Sequence, residues 1–285
     1  MKVLDLKQNT PEWEAFRKDK IGASDAATIL GISPWSTPYQ LWMEKKGGEG
    51  KTKSAAMQRG HDLEDEARTL FEKQTGIKTI PAVVQSTYND FQIASLDGLC
   101  LQGETFVEIK VPNKEVMALA KEGKLPEHYM AQMQHQLFVA DLQSAYYFVY
   151  DGRESHLVEV KRDVDFVEML IEKEEAFYEL MMGDEPPELT DRDYKYRNDE
   201  AWQKHASNFN IIDTEIKRLE ANRCIEKQAL IELAEGQNSK GGGVSVSHFF
   251  RKGSLDADKL AADLKIDLNK YRKKGSIVKM VSPQK

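Results

Sequence analysis

The stretch ASLDGLCLQGETFVEIKVP (94–112) sets two carboxylates and one ammonium, Asp97, Glu108 and Lys110, among β-branched and aromatic residues. Unpaired charge is costly to bury, so these three need partners. In a strand, residues i and i+2 share a face. TFVEIKV therefore turns Phe106, Glu108 and Lys110 one way and Val107, Ile109 and Val111 the other, with Glu108 and Lys110 about 7 Å apart along the strand. A hairpin that pairs 91–97 with 105–111, with Gly98 forming the turn, brings Asp97 opposite Glu108. Two carboxylates side by side repel and bind a proton unless a cation neutralises them. Oxygen ligands of this kind suit Mg²⁺ or Mn²⁺ rather than zinc. A lysine beside such a pair can position or deprotonate an attacking water and stabilise the anion that develops. The chemistry these residues describe is metal-assisted hydrolysis of a phosphodiester.

Taken alone, the D-x10-E-x-K pattern reads more simply as an internal Lys–Glu ion pair beside a turn aspartate. Its surroundings change that. Glu64 lies in the middle of the helical stretch GHDLEDEARTLF and can point a third carboxylate at the same place, and HYMAQMQHQLFVA carries Gln132 and Gln136 one turn apart. A helix carboxylate, an aspartate, an E-x-K strand and a glutamine-bearing helix, in that order, are more specific than any one of them. The chain resembles the YqaJ/lambda-exonuclease branch of the PD-(D/E)xK nucleases in MQRGHDLEDEARTLFE, SLDGLC, VEIKVP and YMAQMQ, and the resemblance runs from about Trp13 to Asp163.

That resemblance implies a restriction-endonuclease-like core with a central mixed β-sheet flanked by helices. It implies Glu64, Asp97, Glu108 and the carbonyl of Ile109 as ligands of two Mg²⁺ or Mn²⁺ ions, Lys110 as the catalytic lysine and Gln132 as a supporting glutamine. Within WEAFRKDKIGASDAA it implies that Arg17 and Ser24 bind the 5′ phosphate of a DNA end. A guanidinium fork and a helix N-terminus are physically suited to an anion. The activity implied is 5′→3′ digestion of double-stranded ends, leaving 3′ single strands for phage-type recombination. A homo-oligomer, such as a ring trimer, and a single-strand annealing protein are the implied partners. One departure is Leu96, which stands where the family name has proline. His61, His128 and His135 read as surface or hydrogen-bonded residues rather than ligands, and Trp35 and Tyr39 read either as core or as rings facing the DNA end.

These residues need elements to carry them. Apolar spacing at Trp13, Phe16 and Ile21 suggests a first helix; Ser24 stands as the N-cap of a second, and TPYQLWMEKKG forms a third. A long helix closed by Gly76, strands near 79–87, 91–95 and 105–111, and a helix over 127–140 follow. AYYFVY and HLVEVKR add strands, and 164–182 a helix. Pro186–Pro187 breaks the pattern. The expected organisation is an α+β nuclease domain over 1–198, a helical arm over 199–236 (one long helix or a hairpin), and a small basic βα unit over 237–285.

Charge follows the same division. The chain carries a net charge of −7, yet residues 240–285 hold 11 Lys/Arg against 4 Asp, so the body is acidic and the tail basic. Lys270, Arg272, Lys273 and Lys274 are placed to meet duplex DNA, or the tail docks the annealing partner. Two cysteines are too few for a disulfide framework or an iron–sulfur site. No apolar run is long enough to span a membrane, and the expected location is the cytoplasm of a bacterial host. Two other functions share the motif: a site- or structure-specific endonuclease with the same metal site, and a non-catalytic module that binds DNA ends.

Overall fold

The strand carrying Glu108 is buried on both faces, Phe106, Val107, Glu108 and Ile109 alike. In this computed structural model, which describes residues 1–48, 55–183 and 185–271, the chain divides into two units, Met1–Tyr194 and Lys195–Lys285. The first contains β1 (Lys2–Leu4), α1 (Pro11–Arg17), β2 (Ile21–Gly22), α2 (Ala23–Ile29), α3 (Pro38–Lys45), α4 (Ala55–Thr75), β3 (Thr79–Gln85), β4 (Gln92–Cys100) and β5 (Phe106–Lys110). After these come α5 (Lys114–Lys121), α6 (Glu127–Val139), β6 (Ser144–Tyr150), β7 (Ser155–Lys161) and α7 (Val164–Met182).

The sheet runs β1-β3-β4-β5-β6-β7, with β2 also on β4. Pairing is antiparallel except for β5 with β6 and β2 with β4, so the sheet is mixed. The parallel β5–β6 pair requires a crossover, and α5 and α6 supply it. On one face Phe106 joins Leu96, Met133, Leu137 and Tyr147; on the other, Val107 and Ile109 pack on Ala67 and Phe71 of α4 and on Phe148. The sheet is thus flanked by helices, as its central strands demand. At the β7 edge, exposed residues alternate with buried ones.

Local signals start the helices. Thr10 caps α1 with Pro11 in its first turn, Thr37 and Gln40 form a capping box on α3, and Asn113 and Asp163 cap α5 and α7. The first helix is shorter than its apolar spacing suggests. It stops at Arg17, and Ile21 enters β2, where its N–H donates to the Phe91 carbonyl at 2.8 Å and its side chain is fully buried. A β-branched residue gains more from that sheet position than from another helical turn. Beyond Pro186–Pro187 the chain folds back: Arg192 donates to the Ser33 carbonyl at 2.8 Å, and Thr37 donates to Asp193.

In the second unit, α8 (Glu200–Leu233) is one continuous helix of 34 residues capped by Asp199, not a hairpin. Its apolar residues Trp202, Ile212, Ile216 and Leu219 are exposed. β8 (Ser239–Gly241) and β9 (Val244–Val246) form a hairpin around Gly242 and Gly243, both with positive φ, which glycine adopts without strain. His248 lies past β9, its N–H donating to the Asn238 side chain at 2.6 Å. α9 (Ala257–Leu264) follows. Arg272, Lys273 and Lys274 lie outside the described residues.

Candidate active site

β4 and β5 pair at Gly98–Val107 and Leu99–Phe106. One step further in the same register come Asp97 and Glu108, and there the backbone ladder ends. Asp97 takes it over with its side chain, Oδ2 accepting from the Ile109 N–H at 2.7 Å. Gly98 is part of β4 and makes no turn; a Cβ there would stand 2.7 Å from Thr79 Oγ1 and 2.8 Å from Val107 Cγ1. The turn is made at Gly103, with φ 73°.

Glu108 is almost fully buried, at 2% exposure. Its Oε1 accepts from Lys110 Nζ and from Gln132 Nε2 at 2.5 Å, and its Oε2 accepts from Gln136 Nε2 at 2.6 Å. Gln132 and Gln136 share one face of α6, as i and i+4 residues do. Sequence reasoning assigned a supporting role to Gln132 alone. Gln136 is the residue it left unassigned, and the signal was there in the four-residue spacing. Between them His135 ties α6 to the rest of the fold: Nε2 meets the Ile93 carbonyl on β4 at 2.9 Å and Nδ1 meets Glu174 on α7 at 2.7 Å.

The electrostatics are those of anions short of positive charge. Burial, then the charge of Glu108, pushes the Asp97 carboxyl well above its ordinary value, outweighing Lys110. Burial alone would lower Lys110, but Glu108 and Asp97 raise it, so it stays an ammonium.

Glu64 approaches from the α4 side. Arg68 holds it, Nη2 donating to Glu64 Oε1 at 2.8 Å while Nε donates to the Asp97 carbonyl at 2.8 Å. Arg68 thus joins the helix carboxylate to the strand aspartate. The sequence shows the i,i+4 spacing of Glu64 and Arg68 but not the link to Asp97, because the acceptor there is a backbone oxygen. Among the described residues, no three His, Cys, Asp or Glu side chains stand close enough, as they are, to hold a metal ion. Each carboxylate is turned to a protein donor instead. The donor set still fits a hard divalent cation: the ligand atoms on offer are all oxygen, and the buried Asp97–Glu108 pair repels. The side chain of His61 lies outside the described residues, and His135 is occupied as above.

Arg17 and Ser24 flank the β2–α2 junction. Ser24 is not the N-cap; Gly22 is, with its N–H taken by Asp25 Oδ2 at 3.0 Å, and Ser24 is exposed in the first turn. Asp25 can reach back to the cap from the third helical position, which a serine at the second cannot. Arg17 stacks 4.6 Å over Trp13 and lies 3.7 Å from Asp25 Oδ1, while the buried Lys45 holds Asp25 Oδ2 at 2.8 Å. Burial would raise the Asp25 carboxyl, but Lys45 and Arg17 hold it below the usual range. Trp13 Nε1 donates to Ser95 Oγ at 3.1 Å, two residues before Asp97 on the same strand face. The arginine is thereby anchored beside the strand that carries the aspartate.

Residues 12–143 match the family model of the YqaJ-like viral recombinase domain. The uncharacterized protein YqaJ of Bacillus subtilis (strain 168) is 29% identical over 186 residues, which is 62% of this chain and 58% of that relative. The chain therefore spans less than two thirds of that relative's length. Among solved structures, an alkaline exonuclease (LHK-Exo) of Laribacter hongkongensis superposes with a TM-score of 0.55 at 26% identity, covering 61% of this chain and 94% of that one. The same exonuclease in complex with dAMP superposes with a TM-score of 0.54 at 27% identity over the same shares.

Proposed function

We propose that this chain, whose residues 12–143 match the YqaJ-like viral recombinase domain, is a metal-dependent deoxyribonuclease with a PD-(D/E)xK core, digesting double-stranded DNA ends 5′→3′. The observation that carries the reading is the parting of β4 and β5 at the Asp97–Glu108 step, with Lys110 on Glu108 and Glu64 drawn in by Arg68. Glu64, Asp97, Glu108 and the Ile109 carbonyl would hold two Mg²⁺ or Mn²⁺ ions. Such ions supply a water of lowered pKa and offset the charge developing on the phosphate and the departing 3′ oxygen.

The chain's own residues do the rest. Lys110, an ammonium on the same strand face as Glu108, orients the attacking water and neutralises charge as it develops. Gln132 and Gln136 fix the Glu108 carboxylate, and His135 fixes the helix that bears them. Arg17 and Ser24 receive the 5′ phosphate at the end of the duplex. Capture of a relative with dAMP, the mononucleotide an exonuclease releases, favours end digestion over internal cutting. The product is a 3′ single strand, which a single-strand annealing protein would take over, and a ring of subunits would make digestion processive. Substituting Lys110→Ala or Glu108→Gln should lower hydrolysis of linear duplex by about 10²- to 10³-fold in Mg²⁺, as removal of a charge-stabilising group does. Full activity in either variant rejects this assignment.

A further inference from the structure

Trp35 stands between α2 and α3 with 59% of its surface exposed. A single exposed apolar ring is ordinary on a protein surface; this one is the outer end of a continuous line of rings. Its centroid is 4.8 Å from His128, edge to face, and 6.1 Å from Tyr129. Tyr129 lies 4.3 Å from His128 and 5.9 Å from the fully buried Tyr147. Lys110 Nζ sits 5.2 Å from the centre of the Tyr129 ring. Laid end to end, the Trp35–Tyr129 and Tyr129–Lys110 distances put the Trp35 ring no farther than about 11 Å from the ammonium. The line therefore runs from solvent to the amine beside Glu108.

The loop that presents Trp35 is held in place. Ser33 and Thr37 on either side are buried, Ser33 Oγ accepts from the Trp35 N–H at 3.3 Å, Arg192 donates to the Ser33 carbonyl at 2.8 Å, and Thr37 donates to Asp193. An indole with more than half its surface in water, backed by two more rings, is a preorganised surface for another flat apolar group. The Nε2 atom of His128 is buried without a hydrogen-bond partner among the described residues, so the second ring of the line serves through its faces and edges.

We propose that Trp35, backed by His128 and Tyr129, is a stacking platform for a nucleobase of the DNA strand whose phosphate meets Lys110. This deepens the nuclease reading and rests on it. The platform is tolerant of base identity, because every base offers a π-face. It sets the terminal nucleotide's position, so that the phosphate next to it arrives at the amine and the carboxylates.

The test uses the full chain and duplex ends whose 5′-terminal two nucleotides are either normal or abasic. Binding is measured by fluorescence anisotropy in EDTA, and hydrolysis in Mg²⁺. Base stacking measured by substitution corresponds to roughly 5- to 150-fold in affinity. Wild-type protein should bind the normal end about tenfold more tightly than the abasic one. Trp35→Ala should bind both equally, at the weaker level, and Trp35→Phe should restore most of the difference. In hydrolysis, Trp35→Ala should raise KM more than it lowers kcat. Wild-type protein that fails to distinguish the two ends, or Trp35→Ala that distinguishes them as strongly as wild type, overturns the platform. Because binding is read without metal, the platform stands or falls separately from the nuclease reading, which fails if Lys110→Ala keeps full hydrolysis.

Discussion

Glu108 accepts from three donors at once, and that arrangement explains how a carboxylate comes to lie inside a sheet. The spacing of Asp97, Glu108 and Lys110, and the order in which Glu64 and Gln132 join them, were legible because strand and helix periods place side chains by arithmetic. The Arg68 link to the Asp97 carbonyl, the partners of His135 and the Asp25–Lys45 pair were not legible, since those partners are backbone atoms or residues far off in sequence. At this scale Gln136→Leu keeps the volume but leaves Glu108 one donor short. It should destabilise the protein by about 1–3 kcal/mol in chemical denaturation and lower kcat. The buried His135–Glu174 pair gives a pH signature. Burial would lower the His135 pKa, but Glu174 raises it above the ordinary value of 6.5, so folding takes up a proton. Its contribution is complete below pH 6.5 and is lost as pH rises through the elevated folded value. Denaturation midpoints measured across that range should fall, and His135→Gln should flatten the fall.

At the scale of elements, the strand pair β4–β5 is the device that makes the site, by pairing closely and then parting. Close pairing needs Gly98. Its sequence neighbourhood reads as a turn, because SLDG is turn-like in composition, whereas the structure uses the glycine for close approach of β3 and β5 side chains. Gly98→Ala should therefore cost about 1–3 kcal/mol of stability and reduce activity by moving Asp97, even though alanine is the smallest replacement. A variant as stable as wild type would show that the strands can move apart freely. The long helix α7 lies where its periodic signal puts it, whereas the sequence of α8 left one helix and a hairpin both open. β1 and β2, of three and two residues, are too short to show a period, and α5, eight residues capped by Asn113, went unread between two motifs.

At the scale of the whole molecule, the candidate site lies within Met1–Tyr194, and the basic residues concentrate in the second unit. The division falls just after the segment that Arg192 and Asp193 tie back to the loop between α2 and α3, a connection made by pairs 159 and 156 residues apart and invisible in composition. If Lys270, Arg272, Lys273 and Lys274 meet duplex phosphates, removing 199–285 should lower the salt slope of DNA binding by about 3–4, since each phosphate contact adds about 0.9. An unchanged slope assigns the segment another task. Among the described residues, no helix is long and apolar enough to cross a membrane. The central claim is a metal-dependent attack that begins at an end of the duplex. It is tested most directly by incubating the protein with linear duplex, 5′-phosphorylated or 5′-hydroxyl, and with a covalently closed circle, in Mg²⁺ and in EDTA. Loss of the phosphorylated linear DNA in Mg²⁺ only, slower loss of the hydroxyl form and survival of the circle is the predicted result; a circle cut as fast as the linear form, or digestion that persists in EDTA, contradicts it.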